Sequence, residues 1–75
     1  MFEKELAYFK AHQDELVAKH PGKVIVLRGE TVEGAYHSAL EAYVDARKRF
    51  ELGTFMIQPC EPGVGAYTVV INSNA

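Results

Sequence analysis

A chain of 75 residues, 48% hydrophobic with four Tyr and four Phe, is one domain with enough apolar matter for a packed core, which excludes a disordered tail. Its net charge of −2 gives no general attraction to nucleic acid or anionic lipid, and a single cysteine cannot close an internal disulfide. No stretch reaches the roughly 18 consecutive apolar residues of a membrane span, and charges run through MFEKELAYFK where a signal peptide needs an unbroken apolar segment, so the chain reads as cytoplasmic.

In chain order, Phe2, Leu6, Phe9, Leu16 and Val17 fall along one side of a helix, with Glu3, Lys4, Lys10 and Asp14 elsewhere. Pro21 pushes His20 out of the helical region, so this helix stops near Lys19. The β-branched run Val24, Ile25, Val26 predicts a strand covered on both faces or set in the middle of a sheet. Gly29-Glu30 then predicts a tight turn into TVEGAY, paired antiparallel with the first strand. Ser38 followed by Glu41 is a capping-box pattern opening a second helix. Leu40, Tyr43, Val44 and Phe50 mark its expected buried stripe, and Gly53 its left-handed stop. TFMIQ alternates as a third strand, Phe55 and Ile57 facing one way and Met56 the other, and YTVVIN alternates again.

The order α-β-β-α-β-(β) predicts an α+β fold, a single small domain over 1–75, with residues 66–75 as an extended strand or arm. One small sheet would carry both helices packed on one face, leaving the other face bare. A helix joining the second and third strands implies a right-handed crossover if those strands run parallel.

Candidate chemistry is sparse. Cys60 lies in the loop PCEPG with no helix amino terminus beside it, so it reads as a small, partly buried residue in a constrained turn. His12, His20 and His37 could reach it only through the fold. Metal ligation needs several ligands at close, repeated spacing, and His12 with Glu15 supplies only two. Glu30, Glu33 and Glu61 fall in or near turns without a diagnostic pairing. Gly63 and Gly65 precede no helix that could hold a phosphate, and Tyr36, Tyr43, Tyr67 and Phe55 read as core aromatics. Arg47, Lys48 and Arg49 read as a solvated face. Neither a catalytic group, a metal nor a cofactor is expected.

His20-Pro21-Gly22-Lys23-Val24, Tyr36 to Ser38, Glu41-Ala42-Tyr43 and Gly53 through Cys60, in this order, resemble a family of small uncharacterised bacterial proteins classed as a domain of unknown function. In that family a Pro-Gly-Lys turn precedes an aliphatic strand, a short helix carries Glu-Ala, and a Phe-x-Ile-Gln strand follows. The likeness spans roughly residues 8 to 60. It implies no established activity and no assigned catalytic residue. Genes of this kind sometimes neighbour genes for retropepsin-like aspartic proteases, so such a protease is the partner the resemblance suggests.

These readings converge on a non-enzymatic module for protein interaction or self-association. A core below roughly 70 to 80 residues seldom supplies more than about 3 to 5 kcal/mol, which invites a second subunit. YTVVIN is apolar on both faces with no lysine or proline to protect it as an edge. The expected assembly is a homodimer whose interface includes Tyr67, Val69, Val70 and Ile71. Two alternatives from other classes are a small thiol-dependent or hydrolytic enzyme using Cys60, and a nucleic-acid accessory using Arg47, Lys48 and Arg49.

Overall fold

The computed structural model describes residues 2–63, 65–66 and 71–72. In place of one long first helix there are two, α1 (Glu3–Ala11) and α2 (Gln13–Lys19). The chain breaks at His12, which leaves the helical region at φ −119° and ψ 20°. Its amide is shared between the Tyr8 and Phe9 carbonyls at 3.0 and 3.2 Å. The imidazole reinforces the break, donating from Nδ1 to the Tyr8 carbonyl over 2.9 Å and stacking on the Tyr8 ring at 4.2 Å between centroids. Between the buried Phe9 and the buried Leu16 the sequence has no large apolar side chain, so a bend there costs no core contact.

Strands β1 (Val24–Arg28) and β2 (Thr31–Tyr36) form the expected hairpin, with Arg28 opposite Thr31. Gly29, at φ +60°, supplies the left-handed turn residue that two-residue hairpins require. Its amide donates to Glu5 Oε2 at 2.7 Å, which ties α1 to the turn. The register slips once, since Val26 faces Gly34 while Leu27 faces Val32. Glu33 is thereby the extra residue of a β-bulge.

Helix α3 (Ala39–Arg49) follows, then β3 (Met56–Pro59), antiparallel to β1, and β4 (Ile71–Asn72), antiparallel to β3. The sheet order is β2-β1-β3-β4. Strands β2 and β3 therefore run parallel with β1 between them, and α3 is the crossover that joins them.

The fold is α+β, but the helices do not share a face of the sheet. Ile25, Leu27 and Met56 pack with Phe9, Leu16, Cys60 and Ala66 on one side, under α1 and α2. Val26 and Ile57 pack with Phe55, Ala42 and Ala46 on the other, under α3. The cause is visible in β1: a continuous apolar run with a period of two sends side chains to both faces, and both need cover.

Helix α3 is also rotated from expectation. Ala42 and Ala46 are fully buried, whereas Leu40 and Val44 are 71% and 41% exposed. Alanines at 39, 42 and 46 repeat at the helical period and let the backbone approach the sheet, where Tyr36, Tyr43 and Phe50 fill the remaining space. The helix ends at Arg49 rather than at Gly53. Phe50 turns extended, φ −136° and ψ 155°, so that its ring meets Phe55 at 6.4 Å between centroids. Gly53, at φ +89°, serves a later turn in which the Thr54 amide and hydroxyl donate to the Glu51 carbonyl at 3.2 and 2.6 Å.

Candidate functional site

Cys60 is buried almost completely, deeper than its turn context implies. It sits in the core with Phe9, Leu16, Ile25, Leu27, Met56 and Ala66, and its amide donates to the Lys23 carbonyl at 2.8 Å, one step beyond the Val24 to Pro59 pair. Burial pushes the thiol up to about 11. At neutral pH only about one molecule in 10⁴ then carries a thiolate, the reverse of what a nucleophile needs.

The loop beyond Cys60 is held by two glutamines. Gln13, at the start of α2, donates from Nε2 to the Glu61 and Gly63 carbonyls at 2.8 and 2.9 Å. Gln58 on β3 is fully buried and donates to the Ala66 carbonyl at 2.8 Å and to the Pro59 carbonyl at 3.1 Å. Glu61, Pro62 and Gly63 stay exposed.

On the α3 side, Tyr36 reaches from the end of β2 to the helix. Its ring lies across Gly34, where a Cβ would come within 2.6 Å of the hydroxyl oxygen. The hydroxyl donates to Asp45 Oδ2. Withdrawal of the phenol from water, then the neighbouring Asp45 carboxylate, push Tyr36 above its ordinary value. The same hydrogen bond, followed by Arg49, holds the Asp45 carboxyl below the ordinary aspartate range.

Arg49 completes this cluster at the outer edge of the sheet. Its guanidinium donates to the Glu33 carbonyl at 3.1 Å and to the Tyr36 hydroxyl at 3.3 Å, and lies 3.9 Å from the Glu33 carboxylate. Arg28 approaches that carboxylate at 3.6 Å, and the two guanidiniums stand 4.2 and 4.8 Å from the centre of the Phe50 ring. Bulge and arginine together blunt β2, since both are devices by which sheet edges resist an added strand.

Beside this cluster runs an open groove of about 610 Å³ lined by Tyr36, His37, Leu40, Glu41, Val44, Asp45 and Lys48. Its apolar ridge is Leu40 and Val44, one helical turn apart. Ser38 begins the helix as expected, its Oγ accepting from the Glu41 amide at 3.2 Å. The Glu41 carboxylate reaches one residue further back than a capping box requires, accepting from the His37 amide at 3.1 Å. An exposed apolar ridge rimmed by charge is a kind of surface that can dock another protein.

The other expected site residues are scattered. Among the described residues no three His, Cys, Asp or Glu side chains lie close enough to hold a metal ion, and no helix is long and apolar enough to cross a membrane. Tyr67, Val69 and Val70 lie outside the described residues, and Ile71 is described only through its backbone, which pairs with Ile57 in its own sheet. The Tyr36, Asp45 and Arg49 cluster escaped sequence reasoning, because only the spacing of Asp45 and Arg49 at four residues on a helix is a local signal. No family model, no curated protein and no solved structure matches the chain.

Proposed function

We propose that the chain is a non-enzymatic interaction module that docks a protein through the outer face of α3. The observation that carries this is the exposure of Leu40 and Val44 on a domain whose sheet is covered on both faces. In so small a domain, two large apolar side chains set side by side on one helix form a surface suited to burial against a partner. The bulge and arginine on β2 oppose strand addition at that edge of the sheet. The buried, protonated Cys60 opposes thiol catalysis, and the tethering of Arg49 to Glu33 and Asp45 removes one of the three cations that a phosphate-binding patch would use.

The test is affinity capture from the native host with the wild-type chain and with Leu40→Asp, identified by mass spectrometry. A protein recovered by the wild type and lost with the equally stable variant is the expected outcome. Identical recoveries from the two, or none from either with a monomer in solution, would refute the reading.

A further inference from the structure

On the groove side of α3 the charge changes sign across Val44. Glu41 stands three residues before it and Lys48 four after it, and both line the groove, about 20° apart on the same side of the helix. At about 1.5 Å rise per residue these positions lie about 4.5 and 6 Å to either side of Val44. An antiparallel copy of the same helix, related by a two-fold axis at Val44, would bring base to acid at both ends. A parallel copy would bring like charges together.

We propose that the groove on α3 is filled by α3 of a second copy of this chain, packed antiparallel about that two-fold axis. Glu41 meets the ammonium of the partner's Lys48 at each end, and Leu40 and Val44 are buried against the partner's α3. The two Val44 side chains meet on the axis. The acid on the rim that would face its own copy, Asp45, is already held by Tyr36 and Arg49. The contact is isologous and closes at two subunits. An 11-residue helix buries well under the roughly 800 Å² per partner of a standard interface, so the dimer is weak, with Kd on the order of 10⁻⁴ M, and salt loosens it. The inference rests on the reading of α3 as a docking face and names its occupant.

The test is sedimentation velocity of the full chain from about 10 μM to about 1 mM at low salt, on the wild type, Lys48→Glu, Glu41→Lys and an equimolar mixture of the two variants. The wild type should associate and each variant alone should weaken association at least tenfold. The mixture should restore it, because the remaining Glu41 of one chain faces the remaining Lys48 of the other, and the introduced pair is likewise opposite in sign. Glu41 also accepts from the His37 amide, so Leu40→Lys, at an exposed position facing the basic end of the partner's α3, supplies a second variant: it should abolish association without altering the far-ultraviolet dichroism. A wild type that stays monomeric to about 1 mM, a mixture no stronger than its components, or a Leu40→Lys that associates like the wild type would overturn the inference. In the first two cases a captured protein partner lost with Leu40→Asp would leave the docking-module reading standing.

Discussion

Replacing Gly34 by alanine tests how β2 is fastened to α3. Gly34 is not among the glycines at positive φ, so its backbone suits alanine, and restricting the unfolded chain should by itself stabilise the protein by about 0.4 to 1 kcal/mol. The obstacle is the Tyr36 ring: an added Cβ would stand 2.6 Å from its oxygen and 2.8 and 2.9 Å from two of its carbons. The ring cannot swing aside without giving up Asp45, so overpacking of the kind that costs about 1 to 3 kcal/mol applies. The net expectation is a loss of about 1 to 2 kcal/mol, measured by urea unfolding followed by circular dichroism. In a Tyr36→Ala background the obstacle is gone and the same substitution should stabilise, reversing its sign. Equal destabilisation in both backgrounds would show that Tyr36 is not what Gly34 makes room for.

Ser38→Ala should lower stability by about 0.5 to 2 kcal/mol, since the hydroxyl accepts from the Glu41 amide at the helix start; a change within error would mean that α3 does not depend on this cap. Cys60, raised to about 11 by burial, should react with a thiol probe far more slowly in the folded chain than free cysteine does at pH 8, and at the free rate only in denaturant. Faster labelling in the folded state would contradict its burial. Tyr36 is raised, so its contribution is complete below its unfolded pKa of about 10 and is lost as pH rises through the higher folded value. Asp45 is lowered, so its contribution is present above its unfolded pKa of about 3.9 and is lost as pH falls through the lower folded value. The difference in melting temperature between wild type and Tyr36→Phe should therefore be flat in between and shrink at both ends. A difference that persists unchanged into strong alkali would refute the assignment.

What could be read from the sequence was what neighbouring residues decide. Gly29 set the hairpin, Ser38 the start of α3, and the alternation of Phe55, Met56 and Ile57 the two sides of β3, because each rests on backbone preference or on a period within a few residues. The rotation of α3 was not of that kind. Leu40 and Val44 form a helical stripe as regular as Ala42 and Ala46, and weight of apolar surface favours the larger pair. The choice is made by Val26, Ile57 and Phe55, which leave room only for alanine. The depth of Cys60 was hidden for a similar reason: turn chemistry around Pro59 and Pro62 implies a partly buried residue, whereas its amide bonds the Lys23 carbonyl, 37 positions earlier in the chain, and its side chain joins the core under α1 and α2. The candidate site inherits the same limit, since its apolar ridge exists only because the helix turned its alanines inward.

The two glutamine anchors have a bearing on how the domain assembles. The bonds from Gln13 to Glu61 and Gly63 join residues 48 and 50 apart, so they close most of the chain into one ring. The entropy of that closure must be met before the bonds can form, whereas the β1 and β2 hairpin closes across two residues. The segment from Glu61 to Gly63 is accordingly the last to dock during folding and the first to detach in the native state. It is exposed and tied to α2 through the side-chain amide of Gln13, while Gln58 holds the flanking Pro59 and Ala66, so it can lift without disturbing either half of the core. A protease should nick the protein there while the sheet and its three helices remain assembled.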